Sequence, residues 1–145
     1  MNQPIIIFDF NRTLYDPDSA RLVPGTLKVL GELQGRGCVL YLISRGGPDR
    51  ARLIRKLGLE SVFAGIKVTE RKNLRDFRAI AKRHPTASIY VVGDRPSQEI
   101  RLGNRLGFRT IRFLRGKFSR EIPRSDDERA DLTIDHLTEL TDIVR

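Results

Sequence analysis

Short unbroken apolar runs alternate along this chain with longer stretches of helical spacing. The first run, Ile5-Ile6-Ile7-Phe8, predicts a strand over residues 4–9, of the kind covered on both faces. The polar stretch through Asp16-Pro17-Asp18-Ser19 reads as a loop leading to Pro24-Gly25, and Pro24 suits the first turn of a helix. That helix turns Leu27, Leu30 and Leu33 inward and stops near Gly35-Arg36-Gly37. A second strand is predicted over residues 38–43. Gly46-Gly47-Pro48 then opens a second helix, with Leu53, Ile54 and Leu57 inward and Gly58 closing it.

A short third strand falls around residues 61–66, and a helix follows from Lys72 to about His84-Pro85, where the proline ends it. Ile89-Tyr90-Val91-Val92 is a fourth, wholly apolar strand. Pro96 starts a helix that Gly107 ends, and Phe108 to Phe113 forms a fifth strand. Residues 115–130 are charged and loop-like, ahead of a short strand around 132–134 and a last helix from about His136. Regular βα alternation implies a parallel central sheet with right-handed crossovers and helices on both faces, a three-layer Rossmann-like α/β fold. No repeat or internal boundary interrupts it, so residues 1–145 are expected to form one domain.

Composition narrows the setting. No apolar run is long enough to span a bilayer, and the chain opens on a strand pattern rather than a charged-then-apolar leader, so a cytoplasmic protein is expected. Cys38 sits in the second strand pattern and reads as a buried, inert thiol. The formal charge of +9 comes mostly from arginine, which pairs well with phosphate and makes a nucleic-acid partner conceivable. Arg71, Arg75, Arg78 and Lys82 share one helix face beside Leu74, Phe77 and Ala81. The positive residues are nevertheless spread along the whole chain without interleaved aromatics, which favours a solvated face. His84 and His136 fall at helix edges and read as structural.

Asp9 closes the first strand, and the carboxyl ends of strands are where open α/β sheets place their chemistry. The stretch Asp9-Phe10-Asn11-Arg12-Thr13 resembles the first motif of the haloacid dehalogenase (HAD) superfamily of phosphohydrolases, usually Asp-x-Asp-x-Thr. Tyr41-Leu42-Ile43-Ser44 resembles the second motif, a strand ending on Ser or Thr, and Lys72 stands where the third motif's lysine is expected. Val91-Val92-Gly93-Asp94, with Glu99 five residues on, resembles the fourth. Lys67 is a rival for the lysine; Lys72 leaves room for one helix and one strand before Asp94.

The resemblance implies a Mg2+-dependent phosphohydrolase in which Asp9 attacks phosphorus and becomes an aspartyl-phosphate. Ser44 and Arg45 would bind phosphoryl oxygens, and Lys72 would neutralise the nucleophile. Asp9, the backbone carbonyl of Asn11, Asp94 and Glu99 would hold the metal; Arg12 and Arg95 flank the motifs as phosphate contacts or as surface charge. Two carboxylates ~4 Å apart repel by about 4 kcal/mol at an effective dielectric near 20, and a hard dication with oxygen ligands relieves that. A metal-free cluster with raised pKa values is the alternative.

Asn11 departs from the pattern. The family's second aspartate moves a proton to the leaving group and from water, which an amide cannot do. A slow phosphatase, an enzyme for good leaving groups and a binding module without turnover all remain open. Asp16 or Asp18 could replace the acid, although a turn role suits both better. The 34 residues between Asp9 and Ser44, and the 27 between Ser44 and Lys72, leave no room for the cap domain that many family members insert there. An open site follows, covered by a phosphorylated substrate of macromolecular kind or by a second copy of the chain.

Overall fold

The computed structural model describes residues 3–144. In chain order the strands are β1 (Ile5–Phe8), β2 (Tyr15–Asp16), β3 (Arg21–Leu22), β4 (Val39–Arg45), β5 (Gly65–Thr69), β6 (Ile89–Gly93), β7 (Arg109–Phe113) and β8 (Leu132–Ile134). The α-helices are α1 (Thr26–Gly35), α2 (Pro48–Lys56), α3 (Leu74–Arg83), α4 (Arg101–Arg105) and α5 (Leu140–Ile143). β2 and β3 pair with each other as an antiparallel hairpin. The other six strands build one sheet in the order β5-β4-β1-β6-β7-β8, every pair parallel.

The period of two in β1 divides its side chains between two cores. Ile6 and Phe8 join Leu30 and Leu33 of α1, Ile54 of α2 and Leu140 of α5. Ile5 and Ile7 join Phe77 and Ile80 of α3, with Leu102 of α4 packed against them. This double burial explains why β1 tolerates no polar residue. The chain runs outward from β1 to β4 and β5, then returns to β6 on the opposite side of β1. The carboxyl ends of β1 and β6 therefore flank a topological switch point, where such sheets leave a crevice. Between Asp9 and Ser44 lie only the hairpin and α1, and between Ser44 and Lys72 only α2 and β5, so no cap domain is inserted there. No helix among the described residues is long and apolar enough to cross a membrane.

Several elements differ from expectation. The segment expected as a loop is a hairpin in which Asp16 ends β2 and residues 17–20 form the turn, its two-residue strands too short to show alternation. Leu27 is 56% exposed, because Thr26 takes the inward position and donates its hydroxyl to the carbonyls of Val23 and Leu14. The third strand begins at Gly65 rather than near 61. The apolar residues before it belong to a turn that sends Phe63 edge-on against Phe8. α3 starts at Leu74, capped by Asn73, which accepts from the Asp76 amide; Lys72 and Arg71 lie in the preceding loop. The helix expected from Pro96 opens as a π-helical turn, Pro96–Ile100, before α4. The last helix is a single 3₁₀ turn followed by α5, entered through a capping box of His136 and Glu139. Cys38 is buried just ahead of β4, and burial pushes its thiol up. His84 ends α3 with Nε2 2.8 Å from the Tyr41 hydroxyl.

Candidate active site

Two strand ends and one irregular turn deliver the acidic residues. Asp9 follows β1, and its amide donates to the Val92 carbonyl at 3.0 Å, extending the β1–β6 pairing through the carboxylate-bearing residue. Asp94 follows β6 directly. Glu99 comes from the π-helical turn, in which Gln98 leaves helical dihedrals (φ −113, ψ −111). That distortion buries Glu99 across the backbone of Gly93, so closely that a Cβ on Gly93 would lie 2.1 Å from Glu99 Cγ. Asp9, Asp94 and Glu99 each offer an oxygen within 4.8 Å of the others. Lys72 reaches in from the β5–α3 loop, donating from Nζ to Asp9 Oδ1 at 2.5 Å and to Glu99 Oε2 at 3.2 Å.

One lysine among three acids leaves the cluster unevenly charged. Burial alone would raise the Asp9 carboxyl, but the charge and hydrogen bond of Lys72, with bonds from Asp94 and the Phe10 amide, hold it below the usual carboxylate range. Burial opposes the charge of Lys72, yet Asp9 and Glu99 raise its pKa well above that of a free lysine. Asp94 has no such partner. Burial, then the charges of Asp9 and Glu99, push it up to about 9. Burial and Asp9 push Glu99 to about 7 against the pull of Lys72. A set of hard oxygen donors with more negative capacity than one lysine can balance fits a divalent cation such as Mg2+.

The remaining expected residues line the same cavity, of about 110 Å3. Ser44, near the end of β4 and buried, donates Oγ to the Arg45 carbonyl at 3.1 Å. Arg45 is exposed and turns its Nε to the Glu70 carbonyl at 3.3 Å. Asn11 keeps its side-chain oxygen buried and without a hydrogen-bond partner. Arg12 and Arg95 also face this cavity. Lys67 lies on β5 opposite Ile43 and lines a different hollow beside Asp76 and Arg83, so Lys72 is the lysine at Asp9. Asp16 accepts the Asp18 amide at 2.9 Å and pairs with Arg115, a turn arrangement away from the cavity.

Three lining residues are not singled out by the sequence: Gln98, beside Glu99 in the π-helical turn, Arg50 and Phe118. Arg50, one turn into α2, donates from Nη1 to Ser44 Oγ at 3.0 Å and rests 4.8 Å over the Phe10 ring. Its place six residues beyond Ser44, just after Gly46-Gly47-Pro48, was the available signal. Phe118 lies in the loop after β7, with the guanidinium of Arg95 4.1 Å and that of Arg12 5.4 Å from its ring centroid. Arg112 holds that loop by donating from Nη2 to the carbonyls of Phe118, Ser119 and Glu121. As the one aromatic in a charged stretch, Phe118 carried only a faint mark.

The chain is similar to known proteins in sequence and in fold. The HAD-hydrolase-like family model matches residues 71–140. The glyceraldehyde 3-phosphate phosphatase of Methanopyrus kandleri is 34% identical over 132 residues, covering 84% of this chain and 56% of that protein. Its counterpart of the same name in Methanocaldococcus jannaschii is 35% identical over 135 residues, covering 86% and 57% respectively. The chain thus spans little more than half the length of these relatives. Among solved structures, YfnB from Bacillus subtilis, assigned as a HAD-hydrolase and solved bound to magnesium, superposes over 100% of both chains with a TM-score of 0.79 at 15% identity, a likeness of fold.

Proposed function

Because this chain belongs to the haloacid dehalogenase-like hydrolases, we propose that it is a Mg2+-dependent phosphohydrolase acting through an aspartyl-phosphate on Asp9. The observation that carries this reading is the 2.5 Å contact from Lys72 to Asp9, at the floor of a cavity lined by further acids and four arginines. The ion pair keeps Asp9 ionised and therefore nucleophilic. Asp9 would form a bond to phosphorus as the ester P–O bond breaks, and water would then attack phosphorus to release phosphate and regenerate the carboxylate. Ser44, oriented by Arg50, and the guanidinium groups of Arg45 and Arg50 would bind the phosphoryl oxygens. Asp9, Asp94, Glu99 and the Asn11 carbonyl would hold Mg2+, which when bound withdraws charge from the phosphoryl group.

The departing oxygen needs a proton when the alcohol is a poor leaving group, and Asn11 has none to give. The chain is therefore fitted to esters with good leaving groups, or turns over slowly on others. The phosphatases it resembles act on a small phosphorylated aldehyde, which supports a phosphorylated small molecule as substrate. With no inserted cap, the substrate or a second copy of the chain would cover the mouth.

A second reading, phosphate binding without turnover, draws on the same Asn11. Turnover of p-nitrophenyl phosphate with Mg2+, quenched with borohydride, separates the two. A working enzyme gives metal-dependent nitrophenol release and reductive conversion of Asp9 to homoserine in the peptide mass map. Turnover without modification at Asp9 overturns the covalent step. Phosphate binding with no turnover of this activated ester assigns the chain to the binding class.

A further inference from the structure

At about 110 Å3 the catalytic cavity is small, whereas sites that enclose a drug-sized ligand usually measure ~300–1,000 Å3. It holds a phosphoryl group, and the rest of a substrate has to lie outside it. A second hollow of about 290 Å3 opens alongside and shares Arg45, Lys72 and Gln98 with it as a common wall. Its other cations are Arg71, Arg101 and Arg105, and no carboxylate among the described residues lines it. Another neighbouring hollow meets the cavity only through Arg45 and carries Glu70, which repels an anion.

Lys72 is taken up by Asp9 and Glu99, but the arginines of the shared groove are poorly neutralised. Arg101 and Arg105 divide one carboxylate, Asp127, at 3.5 and 3.1 Å. The Arg101 Nε is buried without a hydrogen-bond partner. Arg45 and Arg71 form no ion pair among the described residues. Guanidinium groups so placed favour bidentate binding of phosphate or carboxylate. No aromatic ring lines the groove, so it offers a polynucleotide nothing to stack on.

We propose that this groove is a second anion subsite, and that the substrate is a small phosphomonoester bearing another phosphate or a carboxylate. The identity of the first group rests on the phosphohydrolase reading; the second subsite stands on the groove itself. Two matched pairs test it at low salt: fructose 1,6-bisphosphate against fructose 6-phosphate, and 3-phosphoglycerate against glyceraldehyde 3-phosphate.

The doubly anionic member of at least one pair should show kcat/KM about 10- to 100-fold higher, the range of one or two charge-assisted hydrogen bonds. The Arg71→Gln/Arg101→Gln variant should lose that preference while hydrolysing p-nitrophenyl phosphate as before, and Arg71→Lys/Arg101→Lys should keep most of it. Calorimetric titration with the two fructose phosphates reads the groove without chemistry. Tighter binding of the bisphosphate to wild type but not to the Gln variant supports the subsite even where no ester turns over. Equal kcat/KM within both pairs together with equal affinity for the two fructose phosphates, or a preference that survives in the Gln variant, overturns it. Faster turnover of a 3′-phosphorylated oligonucleotide than of either small dianion overturns the assignment to a small substrate.

Discussion

Asn11→Asp isolates the one position where the chain departs from the phosphatase pattern. The exchange alters one terminal atom at nearly constant volume, and the Asn11 side-chain oxygen is already buried without a partner. No existing hydrogen bond to that oxygen is lost. The new carboxyl would sit in the cavity with Asp9 and with Arg12 and Arg50. At a separation on the order of 6 Å, two carboxylates repel by ~3 kcal/mol at an effective dielectric near 20. This lifts the new acid toward neutrality and keeps part of it protonated, as a general acid requires.

Such an acid is worth ~10²–10⁴-fold where the leaving oxygen needs a proton, or about 3–5 kcal/mol of barrier. With part of the acid already ionised, a gain of ~10²-fold is expected on glycerol 3-phosphate and other alkyl esters. On acetyl phosphate or p-nitrophenyl phosphate the first step needs little help and the gain should be only a few-fold. Phosphate release under Mg2+ gives kcat/KM for each ester in both backgrounds, with melting temperatures as a folding control. Asp9→Asn should abolish activity with or without the second change. An Asn11→Asp variant that folds and binds Mg2+ yet gains on no ester refutes the argument and moves the binding reading ahead.

Lys72→Met removes the cation paired to Asp9 and Glu99 in a side chain only 3% exposed. Urea unfolding in chelator should show a loss of ~3–5 kcal/mol, partly restored by Mg2+, and unchanged stability would contradict the pairing. Without metal, Asp94 near 9 and Glu99 near 7 lie above their ordinary values of 3.8 and 4.5. The folded chain then holds protons that the unfolded chain has released, so stability in chelator should fall as pH rises from about 5 to 9. The same protons compete with Mg2+, so titration calorimetry should show affinity rising by up to about tenfold per pH unit there; a flat profile refutes both. Arg112→Met strands three loop carbonyls, so trypsin should cut near Lys117 and Arg120 sooner, with a stability loss of ~1–3 kcal/mol.

Legibility in the sequence followed burial. β1, β4 and β6 are covered on both faces and show as uninterrupted apolar runs, so the ends that carry Asp9, Ser44 and Asp94 were readable from composition alone. β5 sits at the sheet edge with intermediate burial, and its weaker signal lost to the apolar turn around Phe63. Glu99 stands out only through the resemblance to the family's fourth motif, and the π-helical turn that buries it obeys no periodicity, so a regular helix is expected in its place. Arg50 and Phe118 join the cavity through the docking of α2 and the loop after β7, which local patterns do not encode.

Gly93 carries no functional group, yet its missing side chain leaves the space that Glu99 occupies. A methyl group there would stand 2.1 Å from Glu99 Cγ and 2.4 Å from Oε1, distances no carbon tolerates. The glutamate, held by Lys72 and the Arg95 amide, would have to shift from these partners. An inventory of acids is thus a poor inventory of function in chains of this kind. A cousin that retained Asp9, Lys72, Asp94 and Glu99 but carried alanine at this position would pass inspection by motif with its glutamate displaced. Sorting such cousins into active and silent members should begin at the glycine.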